Sequence, residues 1–187
     1  MTLSSAAPTL ETPRLILRMP EASDFDRYAE LICDPEAARH IGGGVSRGDA
    51  WRRFLQMPGA WAVQGFAMFS LIDRESGRWM GQAGPWQPEG WPGTEVGYVL
   101  HPDAWGKGYA TEACTAAIDW AFDTLGWTEV VHCIAPANTA SQAVARRLGS
   151  KVLGKARLPA PLDVHDCDLW GQTRDEWHAR HARGSGV

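Results

Sequence analysis

Apolar residues recur at Ala110, Ala113, Cys114, Ala117, Ile118, Ala121, Phe122 and Leu125. This is the i, i+3, i+4, i+7 series of one helical face. It predicts a long helix from Ala110. Before it, Glu95–Leu100 carries β-branched and aromatic residues at Val96, Tyr98 and Val99, which predicts a strand. A glycine-rich turn, Trp105-Gly106-Lys107-Gly108-Tyr109-Ala110, joins the two.

The rest of the chain falls into shorter elements. Residues 14–18 predict a strand, with Leu15 and Leu17 on one face and Ile16 on the other. A helix over 23–33 places Phe25, Tyr28, Ala29 and Ile32 on one face and ends before Asp34-Pro35. The triple glycine at 42–44 reads as a loop. A second helix over 47–56 is expected to stop at Pro58-Gly59. Residues 61–73 read as a long strand, and a turn at 74–77 leads into a strand over Trp79–Trp86, which makes a hairpin. After the central helix come a strand over Glu129–Ile134, a capping box at Thr139-x-x-Gln142 opening a helix that stops at Gly149, and strands over Lys151–Ala156 and 163–172. Thr173-x-x-Glu176 is a second capping box, opening the last helix. Antiparallel strands followed by a strand–helix–strand crossover predict an α/β chain with a mixed sheet. One domain over 10–182 is expected, with mobile tails at 1–9 and 183–187.

Composition narrows the classes of function. The chain has 187 residues, of which 44% are hydrophobic, enough for one sizeable core. No apolar run approaches the roughly 20 residues that cross a bilayer, and no secretory leader is visible at the start, so no membrane association is expected. The net charge of −4 argues against nucleic acid as a partner and permits cationic amines. Cys33, Cys114, Cys133 and Cys167 are widely spaced and form no C-x-x-C, which suits a reducing cytoplasm. His178-x-x-His181 has no further ligands near it in sequence, so no metal is expected.

The glycine turn carries the candidate chemistry. The first amides of a helix have no internal partner, and the helix dipole is positive there. Glycines let a ligand approach the main chain, and Lys107 adds a positive charge. The pattern suits a phosphate or pyrophosphate, although a Gly-x-Gly can also be only a tight turn. It is not a P-loop, because Gly108 follows Lys107, and not a dinucleotide fingerprint, because Thr111 stands where the third glycine or alanine would be.

The turn resembles the acetyl-CoA loop of the GNAT acyltransferase superfamily, Q/R-x-x-G-x-G/A, with Trp105 in place of Gln or Arg. WGKGYATEA, PANTASQAVARRLG and GQTRDEW are similar to the branch that includes ribosomal-protein alanine N-acetyltransferases. The resemblance implies the GNAT fold, a mostly antiparallel sheet flanked by helices, and direct transfer of acetyl from acetyl-CoA to a primary amine in a ternary complex. The acceptor would be a protein N-terminus or a small-molecule amine, and a homodimer is compatible with it. It assigns the pyrophosphate to Trp105, Gly106, Lys107, Gly108, Tyr109 and Ala110, and the pantetheine arm to Tyr98, Val99 and Leu100. The amide of Val99 or Leu100 would meet the thioester carbonyl. Glu95 would act as base through a water, with His101 as a second candidate, and Asn138 and Ser141 would face the pantetheine and the sulfur. The tyrosine that serves many of these enzymes as acid is replaced by Ala145, so a CoA-binding protein without turnover is the alternative reading. Glu95 as a solvated strand-end carboxylate, and Asn138 and Ser141 as turn and first-turn residues, are the purely structural alternatives.

Overall fold

The computed structural model describes residues 8–164 and 166–184. The expected tails therefore fall largely outside the described residues, as does His165. The chain forms two compact units: Met1–Gly84 with Tyr98–Ala116, and Pro85–Gly97 with Ala117–Val187.

In the first unit, strands β1 (Leu10–Glu11), β2 (Leu15–Arg18), β3 (Phe69–Asp73) and β4 (Trp79–Trp86) pair antiparallel in that order. β1 was not expected from the sequence. Helices α1 (Phe25–Cys33) and α2 (Arg47–Gln64) pack together through Tyr28, Leu31, Ile32, Ala50 and Phe54, with Trp79 of β4 completing the cluster. Two boundaries differ from expectation. Pro58 lies inside α2, which runs on to Gln64, and the strand expected over 61–73 is confined to Phe69–Asp73. An interior proline removes one hydrogen bond and costs about 3 kcal/mol. Here Phe54, Met57 and Trp61 form one buried helical face across it and offset that cost. The helix ends at Gly65, which has φ of 82° and donates its N–H to the Trp61 carbonyl.

The second unit orders its strands as β5 (Glu95–Leu100), β6 (Glu129–Ile134), β8 (Cys167–Thr173) and β7 (Lys151–Ala156); β5 leaves it at Tyr98. Among the described residues of this unit only β5 and β6 pair parallel, through Glu95↔Val131. The expected mixed, mostly antiparallel sheet with flanking helices is present. β8 starts later than expected, since residues 163 and 164 are in turns. Helix α3 (Tyr109–Asp123) buries the predicted face from Ala110 to Phe122 without exception. Helix α4 (Thr139–Leu148) is capped by Asn138 rather than by a box at Thr139: Asn138 Oδ1 accepts the Ser141 N–H at 3.1 Å, and Gln142 turns back to the Pro136 carbonyl. The box opening α5 (Arg174–Gly184) forms as expected between Thr173 and Glu176.

Gly81 controls how closely β5 approaches β4. It has φ of 148°, and a Cβ there would lie 2.3 Å from the Val99 carbonyl oxygen and 2.9 Å from Leu100 Cα. The neighbouring Met80 carbonyl accepts the His101 N–H at 2.9 Å. Gly81→Ala is expected to destabilise the protein by about 3 kcal/mol through combined strain and overlap, measured by denaturant unfolding, while Gly77→Ala, with φ of 68° but open space around it, loses only the left-handed backbone strain of about 1–2 kcal/mol.

Candidate active site

The first unit holds the glycine loop with Tyr98, Val99 and Leu100, and the second holds Glu95, Asn138 and Ser141. The loop is built from left-handed turns at Gly106 (φ 71°) and Gly108 (φ 80°), and the space around the missing Gly106 side chain is open. The first intrahelical bond of α3 runs from the Glu112 N–H to the Gly108 carbonyl at 3.1 Å, so the amides before it have no helical acceptor. Lys107 is exposed.

The loop is clamped from β2. Arg14 Nη1 donates to the Lys107 carbonyl at 2.8 Å. The same arginine pairs with Glu112, which also accepts the Arg14 N–H at 2.9 Å and the Thr12 hydroxyl at 2.6 Å. Burial acts to raise the Glu112 pKa, but the bonds from Thr12 and Arg14 prevail and hold it below the ordinary value. Tyr109, placed at the phosphate loop by the resemblance, has its ring under the Arg14 guanidinium and its hydroxyl on Asp73 at 2.6 Å. The Tyr109 and Ser76 hydroxyls hold Asp73 at about 2. Tyr109 thus offers its amide, while its side chain braces the loop. Trp105 does similar work, its indole N–H donating to the Leu100 carbonyl at 2.8 Å.

In the second unit Glu95 is buried, at 7% exposure. One carboxyl oxygen accepts the Trp91 indole N–H and the other the Cys133 N–H at 3.1 Å. Burial pushes its pKa up from 4.5 to about 7, against the pull of these donors. The carboxyl is therefore a group that exchanges a proton near neutrality, unlike the solvated strand-end carboxylate considered above.

Next to it, the parallel ladder gives way to side chains. The Val96 carbonyl can only accept, so His132 Nδ1 donates to it, at 2.7 Å. His132 Nε2 then accepts the Ser150 hydroxyl at 2.9 Å, and Ser150 accepts from Gln172 Nε2 at 3.0 Å. Burial, opposed by the Val96 bond, keeps His132 neutral.

Two further expectations can be placed. His101 is tied up on both ring nitrogens: Nδ1 faces Arg27 at 3.1 Å and accepts the Asp103 N–H, and Nε2 faces Glu30 at 3.2 Å. Burial and Arg27 lower its pKa. It organises a turn rather than offering a free base. Ala145 is buried against Ile134 and Trp170, so its position points into the core. Sequence reading missed Thr12, Arg14, Glu112, Cys133 and His132. Only Glu112, a carboxylate in the first turn of a helix, carried a visible signal.

Comparison with known proteins bears on this geometry. The chain matches the family model described as the acetyltransferase (GNAT) domain over residues 14–151. The protein is a GNAT acetyltransferase. It is 32% identical over 155 residues to the uncharacterized N-acetyltransferase p20 of Bacillus licheniformis, covering 80% of this chain and 85% of that one. Among solved structures it resembles an acetyltransferase from Agrobacterium tumefaciens, with 31% identity, a TM-score of 0.77, and coverage of 92% and 98% of the two chains. In fold alone it also resembles a ribosomal-protein-S5-alanine acetyltransferase from Vibrio fischeri, at 20% identity and a TM-score of 0.71, covering 91% and 98%. This acetyltransferase therefore belongs to a family that uses acetyl-CoA as cosubstrate, and the amides and open space at the glycine loop suit a diphosphate.

With Glu95 as the base, the assignment proposed below, the rate should rise with pH through about 7 as the carboxyl ionises. Glu95→Gln should flatten the profile and lower kcat/KM by about a hundredfold. Stability runs the other way. The folded value lies above the unfolded one, so the contribution of Glu95 is complete below pH 4.5 and is lost as pH rises through about 7. Melting curves from pH 5 to 8 check this.

Proposed function

We propose that this N-acetyltransferase carries acetyl from acetyl-CoA to a primary α-amine, with Glu95 as the base. The observation that carries the reading is the buried Glu95 carboxyl, at about 7 and held by Trp91 and Cys133. An α-ammonium group loses its proton at about 7.7–8.0 and a lysine side chain at about 10.4. A base at about 7 is matched to the first and poorly matched to the second. Peptide and protein N-termini are therefore favoured over lysine-like amines, and the name of the Vibrio fischeri neighbour is consistent with this.

In this reading the amides of Gly106, Lys107, Gly108, Tyr109 and Ala110 hold the diphosphate, with Lys107 adding charge and Trp105 bracing the loop. The main chain of Tyr98, Val99 and Leu100 holds the pantetheine arm, and the Val99 or Leu100 amide donates to the carbonyl oxygen as it gains charge. The bound donor supplies an acetyl thioester. Glu95 takes the ammonium proton through a water, freeing the amine to attack. The Ser141 hydroxyl donates to the departing sulfur, and Asn138, whose oxygen is committed to the Ser141 N–H, offers its amide hydrogens to the pantetheine. Transfer is direct, within a ternary complex. The four free cysteines support a cytoplasmic location, and no helix among the described residues is long and apolar enough to cross a membrane.

Thiol release from acetyl-CoA, measured over a panel of peptides and small amines, tests the acceptor. Peptides with a free N-terminus should react, and the same peptides blocked there but carrying lysine should not. The reverse preference would refute the α-amine assignment. Glu112→Gln should raise the KM for acetyl-CoA about tenfold with kcat little changed, because it loosens the loop without touching the reacting atoms.

A further inference from the structure

The arginines of the first unit end on carboxylates, with one exception. Among its described residues every arginine but Arg53 lies within ion-pair distance of an Asp or Glu. Arg53 is half-buried on α2. Among the described residues its guanidinium makes one long hydrogen bond, from Nη1 to the Ile41 carbonyl at 3.4 Å. Asp49 stands one helical turn back, the spacing at which a carboxylate reaches an arginine. It is already committed to Arg52 and to the Ser46 hydroxyl. A guanidinium carries five N–H donors in a fork that fits a carboxylate. One weak acceptor leaves most of that capacity unused.

The loop over Arg53 is open. Both Nη atoms face Gly42, where a Cβ would stand 3.6 Å from each, and Gly42 is exposed. Its φ of 98° is one that other residues rarely adopt, so no side chain covers the guanidinium at that point. The same loop reaches the strand assigned above to the acetyl donor. Ile41 packs on the cluster of Tyr28, Phe54 and Trp79, and so does Val99 of β5. Two residues before Ile41, the Arg39 guanidinium lies 6.0 Å from the centroid of the Trp105 ring, and the Trp105 indole N–H holds the Leu100 carbonyl. Arg53 therefore stands on the flank of Val99 and Leu100. The other charges around it cancel: Arg39 is paired with Glu36 and Arg52 with Asp49, while His40 Nε2 accepts from Arg39 Nε at 3.2 Å. The charge of Arg53 is left over.

We infer that Arg53 receives a carboxylate of the acceptor, so that the enzyme selects α-amines that carry one. The carboxylate comes from an Asp or Glu side chain near a peptide N-terminus, or from the α-carboxylate of a free amino acid. Two oxygens in the fork fix direction as well as charge, so the amine is presented in one orientation. The net charge of −4 gives no general attraction for acids, so a preference for them reports a local contact. The inference rests on the α-amine reading and on the place given there to Val99 and Leu100.

The test compares two sets of acceptors with acetyl-CoA and the whole chain: peptides with Asp or Asn at the second position, and free amino acids or their amides. In one set kcat/KM should be about tenfold higher for the acid, mostly through KM. Which set shows it identifies the source of the carboxylate. Arg53→Gln should abolish the difference, and Arg53→Lys should keep part of it, since the charge stays and the fork is lost. Arg52→Gln should weaken it too, because Asp49 is released to pair with Arg53, and adding Asp49→Asn should restore it. Arg47→Gln, whose partner is Asp26, should leave it unchanged. Equal use of acid and amide in both sets, or a preference that survives in Arg53→Gln, would overturn the assignment. Calorimetry with the N-acetylated peptides and CoA separates this from the function proposed above. Tighter binding of the Asp peptide that is lost in Arg53→Gln, with no amine acetylated, would uphold the site and refute that function.

Discussion

Glu95 is kept out of water between Trp91 and the main chain of β6, and much of the second unit follows from that. An ionised carboxylate buried without partners would cost several kcal/mol, so the group must find donors or hold its proton. It does some of each. Two N–H groups orient it, and they are too few to restore its ordinary acidity. The parallel pairing matters here as well. Past Glu95 and Val131, β6 offers β5 a histidine side chain in place of main-chain bonds, so the strand is anchored at Val96. The His132–Ser150–Gln172 chain leaves no charge in that interior, since each member is neutral and each donor has an acceptor.

The first unit handles charge differently. Its loop depends on main-chain amides, and the side chains around it act as braces. Arg14 spends its guanidinium on Glu112 and the Lys107 carbonyl, Tyr109 reaches Asp73, and Trp105 reaches the Leu100 carbonyl. Amides fixed this way would need little reorganisation to hold the diphosphate proposed for them. Trp105 also accounts for the departure from the family pattern: a tryptophan at that position gives up a charged contact and gains a fixed start to the turn.

Local signals carried most of the fold. The helix from Tyr109 was legible because its buried face is periodic and unbroken, and the strands at Glu95, Glu129 and Lys151 because each is short, β-rich and bounded by turn residues. The misreadings came where a distant contact outweighed a local rule. Pro58 should end a helix, yet burial of Phe54, Met57 and Trp61 carries α2 past it. Asn138 captured a cap that the Thr139 spacing also offered. The loop and Glu95 could be found from motif and position. The distant groups that give them their properties could not, because Arg14 and Thr12 lie far from Glu112 in sequence, and Cys133 meets Glu95 only once strand register is known.

The bond between Arg14 and Glu112 joins residues 98 positions apart. During synthesis the first strand is therefore complete long before the helix that receives it has emerged, and the second unit's sheet follows later still. The glycine turn cannot take its final shape until Glu112 has been made, even though every residue of the turn is contiguous. Its geometry belongs to the closed first unit rather than to the motif. The same nine letters moved to another scaffold would carry the glycines but not the grip.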